Sequence, residues 1–232
     1  MRAIGLATML LLLAACNQQD APAEEVTEAA ERIVGDGSPI PVAAEGKYAP
    51  RDDCRTVDGA GLFRQRLALA VQARDAEGVA ALAADDVKLD FGGGAGRAEL
   101  IRRLSDSGGK LWSEMDSLLA LGCAKNAQGG ITLPWYFEQK IPLDPYKAMI
   151  VTGEDVPLYL GPDPKSQQLA TIDWDAVELM EGLKTEDAFQ HVKLGDKEGY
   201  IATDRLRSAI DYRLSASSRN GRWRITSLVA GD

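Results

Sequence analysis

Apolar residues recur at helical spacing in the first half of the chain and alternate with polar ones in the second. Phe63, Leu67, Ala70 and Val71 make an apolar stripe, with Arg64, Arg66 and Arg74 off it, which predicts a helix entered near Gly59 and Gly61. Asp75 is a good N-cap for a second short helix, with Glu77 in its first turn and Val79 and Leu82 inward. Val87, Leu89 and Phe91 alternate with Lys88 and Asp90, the period of a half-buried strand ended by Gly92-Gly93-Gly94. Leu100, Ile101 and Leu104 share one face of a third helix, from about Arg97 to Leu104. Leu111, Met115, Leu118 and Leu119 repeat the helical spacing. Leu121 to Ala124 and Ile131 to Phe137 then flank Gly129-Gly130 as a hairpin.

From about Pro145 short β-like runs follow one another, from Ala148 to Thr152, Val156 to Leu160, Leu169 to Ile172, Val177 to Met180, Phe189 to Leu194 and Gly199 to Ala202. Turn residues such as Gly161-Pro162-Asp163-Pro164 and Gly195-Asp196 separate them, and strands at this spacing predict a small barrel. Tyr212 to Ser218 and Arg222 to Val229 alternate around Asn220-Gly221, a strong hairpin signal. Helices plus antiparallel hairpins make the fold class α+β. No internal repeat is evident.

The N-terminus reads differently. Arg2 precedes an apolar run from Ala3 to Leu13, too short to span a bilayer, which needs about 20 apolar residues. A charge, an apolar stretch and small residues make a secretory signal. Leu13-Ala14-Ala15-Cys16 resembles the lipobox of bacterial lipoproteins, which implies diacylation of the Cys16 thiol and a membrane held through more than one acyl chain. Asn17 in place of Asp implies, by the enterobacterial sorting rule, the outer membrane, with the protein facing the periplasm of a Gram-negative bacterium. Residues 17–50 are rich in Ala, Glu and Pro and read as a flexible tether, with order beginning near Cys54.

With Cys16 given to lipid, Cys54 and Cys123 remain in an oxidising compartment and predict a disulfide, with two buried free thiols as the alternative. A zinc site would want four ligands, and the chain has 1 His. The net charge of −9, with no basic cluster along the chain, argues against nucleic acid or anionic lipid as a partner.

Val156-Pro157-Leu158-Tyr159-Leu160-Gly161-Pro162, Leu169-Ala170-Thr171-Ile172, Val177-Glu178-Leu179-Met180 and Gly199-Tyr200-Ile201 together resemble a bacterial Src-homology-3 (SH3-like) domain over residues 147–206. Pro157-Leu158-Tyr159 stands where the family has Asn-Val-Arg, and Asp173-Trp174-Asp175 where it has Lys-Gly. In the flanks, helix, helix, strand and helix over residues 61–104, followed by β-hairpins ending in Gly221-Arg222-Trp223-Arg224-Ile225, resemble the cone-shaped α+β domain of the nuclear-transport-factor-2 class, with residues 51–146 as its first part. That resemblance implies that the barrel is inserted and that the hairpin of 207–232 completes the α+β domain. The rival arrangement is two consecutive domains, with the last hairpin extending the barrel.

No strong catalytic constellation emerges. His191 shares a strand face with Phe189 and reads as a solvent-facing or structural residue; a general base would need a placed partner. Asp85, Asp86 and Asp90 near the glycine run could do acid–base work or hold a cation, but helix termination and a solvated loop explain them. Gly92-Gly93-Gly94-Ala95-Gly96 lacks the Gly-Lys-Ser/Thr ending of a phosphate-binding loop. Trp112, Trp135, Tyr136, Phe137 and Trp223 could line the mouth of a cone pocket, while Tyr159, Trp174 and Tyr200 could present a groove on the barrel. Trp174, set between two aspartates at a turn, is expected to be exposed and to mark a contact surface. The reading is therefore a non-catalytic envelope lipoprotein without cofactor, a binding module for peptidoglycan or an envelope protein. The alternative is a ligand-binding or enzymatic cone with the barrel as accessory.

Overall fold

The computed structural model of the protein describes residues 44–106 and 108–231. Cys16 and most of the expected tether lie outside them. The folded part starts before the expected boundary at 51, because Tyr48 and Ala49 are 2% and 1% exposed. Tyr48 also donates its backbone N–H to the Trp174 carbonyl at 2.7 Å.

The chain runs through β1 (Arg51–Asp52), a 3-10 turn (Asp53–Thr56), α1 (Ala60–Gln72), α2 (Ala76–Ala81), β2 (Ala83–Lys88), α3 (Arg97–Leu104), α4 (Lys110–Ala120), β3 (Gly122–Lys125) and β4 (Ile131–Leu133). After a second 3-10 turn (Trp135–Glu138) come β5 (Ala148–Val151), β6 (Val156–Tyr159), β7 (Gln168–Ile172), β8 (Ala176–Leu179), β9 (Phe189–Leu194), β10 (Lys197–Ala202) and β11 (Leu206–Ser208). β12 (Arg213–Arg219) and β13 (Arg222–Val229) come last. The strands form two sheets, which with the helices make an α+β fold: a six-stranded sheet in the order β1-β3-β4-β12-β13-β2 and a seven-stranded one in the order β11-β5-β8-β9-β10-β6-β7. All strands of the second sheet thus fall, in sequence, between the neighbours β4 and β12 of the first.

Local chemistry explains the helices. The Asp75 carboxylate accepts the Gly78 N–H at 2.9 Å and caps α2. Phe63, Leu67 and Val71 recur every four residues and fill one face of α1. Arg64, expected off that stripe, is instead 2% exposed, because its Nη1 reaches Asp52 Oδ1 at 2.7 Å. A charge is retained inside a core only when paired in this way. β12 and β13 turn at Asn220 and Gly221, whose φ values of 53° and 73° suit a tight hairpin turn.

The helices and the inner face of the first sheet enclose one core that includes Phe63, Trp112, Trp223, Ile131 and Leu214. Within it Cys54 and Cys123 form a disulfide, with both residues 0% exposed and Cα atoms 5.7 Å apart. It fastens β1 beside β3, which pair in parallel through Arg51↔Gly122 and Asp52↔Cys123. The bond closes a sequence separation of 69, which the chain-entropy model values at roughly 4 kcal/mol.

The second sheet has a smaller core of Met149, Val151, Val156, Leu158, Ile172, Val177, Leu179, Val192 and Ile201. Residues from β5 and β7, far apart in the strand order, share that cluster, so the sheet folds over on itself. It does not close into the expected barrel: β11 and β7 are its edges, and no ladder joins them. β11 instead runs along β5 at the far end of the sheet.

A third cluster joins the sheets. Tyr48, Leu121, Trp135, Tyr136 and Ile150 are buried in it, with Trp174 and Ala176 packed alongside. Beside it Arg207 bonds to the Tyr136 hydroxyl and the Glu114 carboxylate, each at 3.0 Å. It also donates to the Tyr212 carbonyl at 3.3 Å. Burial pushes the Tyr136 hydroxyl well above the ordinary tyrosine range, so it meets Arg207 as a neutral group.

Candidate functional site: an aromatic groove on the second sheet

Strand register builds this site. Tyr200 of β10 stands opposite Tyr159 of β6 on one side and His191 of β9 on the other. Alternation sends Leu158, Val192 and Ile201 into the core, all 0% exposed, and turns Tyr159, His191 and Tyr200 to the other face. Phe189 lies on that face too, two residues before His191. The His191 and Tyr200 rings stack with centroids 4.9 Å apart and planes 16° from parallel. Tyr159 and Phe189 meet edge to face at 6.0 Å.

Gly199 lets the row assemble. A Cβ there would lie 2.4 Å from the Tyr159 carbonyl oxygen, so any side chain would push β10 off β6.

The row opens into a groove of about 440 Å³, bordered by Pro162 and by the loop between β8 and β9. Gln190, 4% exposed, holds that loop: its Nε2 donates to the Lys184 carbonyl at 2.6 Å and to Thr203 Oγ1 at 2.9 Å, and its Oε1 accepts the Lys184 N–H at 3.1 Å. Glu181, Lys184, Glu186 and Asp187 charge the rim. The Lys184 ammonium, 2.6 Å from Glu181, holds that carboxyl below its ordinary value. Half-buried rings with ordered polar groups beside them can stack on a sugar or clamp an extended peptide. Among the described hydrogen bonds none joins the His191 ring to a nucleophile or carboxylate; its partner is the Tyr200 face.

The other candidates fall elsewhere. Tyr159 and Tyr200 come together as expected, and Trp174 does not join them. Trp174 occupies the turn between β7 and β8 with φ 42°, but its side chain packs half-buried into the cluster between the sheets. The expected exposed contact residue is therefore a junction residue, because Tyr48 arrives from before the predicted start of the fold to cover it. Trp112, Trp135, Tyr136 and Trp223 are packed inside, at 9%, 6%, 2% and 8% exposed; Trp223 edges a small cavity of about 170 Å³ with Phe63, and the half-buried Phe137 lies under the Arg213 guanidinium. Trp135 Nε1 donates to Asp53 Oδ2 at 2.7 Å, and Trp223 Nε1 to the Asp58 carbonyl at 2.9 Å.

Asp90 is a structural carboxylate. Its Oδ1 accepts the Gly92 and Gly94 N–H groups at 2.8 and 2.7 Å, and its Oδ2 meets Arg103. A Cβ on Gly94 would collide with that carboxylate at 2.1 Å, so the glycine run serves this turn. Asp85 pairs with Arg97 at 2.9 Å on the surface. Asp52, Cys54 and Cys123 bring possible ligand atoms within 4.8 Å of one another. The two sulfurs are bonded to each other, which leaves one carboxylate already paired with Arg64. No helix among the described residues is long and apolar enough to cross a membrane. The expectation of no basic cluster needs correction: strand pairing gathers Lys88, Arg219, Arg222 and Arg224 around one groove on the first sheet.

Fold and site thus define an α+β protein of two sheets carrying an aromatic groove. No protein-family model matches the chain. No curated protein matches it either. Among solved structures, an NTF2-like protein with a cystatin-like fold from Novosphingobium aromaticivorans aligns with 91% of this chain and 89% of its own, at 12% identity and a TM-score of 0.25.

Proposed function

We propose that the protein is a non-catalytic binding module of the cell envelope, held to a membrane by lipid on Cys16, and that Tyr159, Phe189, His191 and Tyr200 form its contact surface. The second sheet is read as an SH3-like unit, residues 147–206, inserted in an α+β domain of 51–146 and 207–232. The stacked His191–Tyr200 pair carries the reading. Stacking on each other fixes both rings, so their outer faces and edges need no rearrangement to receive a ligand. Burial of the large aromatics of the first core supports it from the other side, since rings packed into a core are not offered to a ligand. The ligand is peptidoglycan, whose sugar rings match the ring surfaces open to the groove and whose peptide stems match the charged rim. An envelope protein offering an extended segment is the other partner of this class.

Full-length protein mixed with purified cell-wall sacculi tests the reading. The wild type is expected to sediment with them, and Tyr200→Ala to lower the affinity about tenfold or more, as for a central aromatic anchor. Melting temperature is the control for folding. Failure of the wild type to sediment removes the cell-wall ligand. Equal retention of wild type and Tyr200→Ala removes the groove.

A further inference from the structure

The outer face of the first sheet carries a second groove, independent of the aromatic one. Along β2, Ala83 and Val87 point into the core at 0% exposure, leaving Ala84, Asp86 and Lys88 outside. Along β13, Trp223 and Ile225 point inward, and Arg222, Arg224 and Thr226 outward. β12 adds Ser217 and Arg219, and together these residues line a groove of about 360 Å³. Four cations thus face one carboxylate, on a chain whose net charge is −9.

The charges are not there for the hairpin. Arg219 and Arg222 are direct cross-strand partners, and Arg224 lies opposite Ser217. Like charges directly opposite each other work against strand pairing. No described ion pair engages Arg219, Arg222 or Arg224; Arg224 donates one N–H to the Trp223 carbonyl at 2.9 Å. Lys88 rests over the Phe91 ring at 3.9 Å, which leaves its ammonium open to an anion. Guanidinium forks match phosphate oxygens two at a time, and the Ser217 hydroxyl adds a neutral donor, while Thr226 spends its hydroxyl proton on the Ser215 carbonyl at 3.1 Å.

We propose that this groove binds a compact ligand bearing two or more phosphate groups, laid along β13 between the Arg219/Arg222 pair and Lys88. The size of the ligand follows from the acidity of the rest of the chain. Charges farther off than about 8 Å are screened, so a compact anion in the groove meets four cations against the single Asp86 carboxylate, whereas a long polyanion would also run along acidic surface. A soluble polyphosphate ester and a diphosphate-bearing lipid headgroup share this chemistry.

Calorimetric titration of the full-length protein with tripolyphosphate tests the site, and flotation with vesicles of phosphatidylcholine, with or without cardiolipin, separates the two sources. Tripolyphosphate is expected to bind, and to bind at least tenfold more weakly to the double variant Arg222→Ala/Arg224→Ala. The double variant Lys165→Ala/Lys197→Ala, which removes two exposed cations of the other sheet, should bind as wild type does. Cardiolipin-dependent flotation that tripolyphosphate reverses assigns a headgroup, and titration without flotation assigns a soluble ester. Arg219→Ala should weaken binding without lowering the melting temperature, since it relieves the cross-strand repulsion. Should the double variant fail to fold, Arg222→Gln alone carries the test. Absence of binding in both assays overturns the proposal, as does an equal loss in the two double variants.

Discussion

The two sheets follow the same alternation rule and place their aromatic residues on opposite sides. In the first, Trp223 of β13 turns inward, where Phe63 of α1 stacks on it at 5.9 Å and Trp112 of α4 joins the same core. In the second, aliphatic residues fill the inside, while Tyr159, His191 and Tyr200 stand on the outer face. Inward rings bury large apolar area and stabilise the fold. Outward rings gain much less from burial, and under the function proposed above their stacking and Gly199's close approach are preparation for a ligand. The first sheet shows the complementary arrangement, with its hydrophobic payload inside and charge on its outer face. One region is therefore built for stability, with a disulfide and a large core. The other is a smaller core that relies on the junction to stay in place.

The largest effect that would break this contrast is loss of the disulfide. Cys54→Ala/Cys123→Ala is expected to destabilise the protein by roughly 4 kcal/mol, measured by denaturant unfolding. Hydrogen exchange should quicken in β3 and β4 more than in β9 and β10. Equal loss of protection in both regions would show one cooperative unit and no division of labour. Next in size is the junction. Arg207→Met removes the partner of Glu114, whose side chain is 18% exposed, at a cost of about 2 kcal/mol. Trp112, Trp135, Trp174 and Trp223 all lie in the first core or the junction. Tryptophan fluorescence in this variant should therefore report a transition distinct from the exchange of the Val192 and Ile201 amides. Coincident transitions would show that the apolar cluster alone couples the sheets.

Features written in neighbouring residues were legible in the sequence. The Asp75 cap, the Asn220-Gly221 turn and the helical stripe of α1 depend on contacts a few residues long. Cys54 and Cys123 could be paired by compartment and number. Features set by distant register were not. β2 was expected over Val87 to Phe91 but spans Ala83–Lys88, because β13 pairs with it through Ile225↔Ala83 and Ser227↔Lys88. Asp90 then turns the chain and leaves Phe91 47% exposed. Arg64 looked like a surface charge because its partner Asp52 belongs to another element. Tyr159 and Tyr200 were picked out by resemblance to a family. Phe189 and His191 carried only a shared strand face, and the stacking of His191 on Tyr200 needed the β9–β10 register. Gln190 gave no signal, since its hydrogen bonds define a loop without periodicity. Arg219, Arg222 and Arg224 stand close in sequence, but Lys88 joins them only through the parallel pairing of β2 with β13.

The smallest expected effect concerns acid. The Arg103 guanidinium and the Gly94 N–H hold the Asp90 carboxyl down to about 2 from an ordinary 3.8. Arg102 and Arg103 together hold Glu99 down to about 2 from 4.5. Both groups have a lower pKa folded than unfolded, so the stability they contribute is complete above about pH 4.5. It is lost as pH falls toward 2, where the folded carboxylates take up protons. These groups are solvent-facing, which keeps the contribution modest and sensitive to salt. The whole network belongs to the first region, at the turn between β2 and α3. Thermal melts from pH 5 to pH 2 should show a fall in wild type that Arg103→Met flattens. The exchange of β9 and β10 amides, corrected for intrinsic rates, should change little between the two proteins. If Arg103→Met leaves the acid slope unchanged, the sensitivity lies in other carboxylates, and the Glu181–Lys184 pair becomes the next to examine.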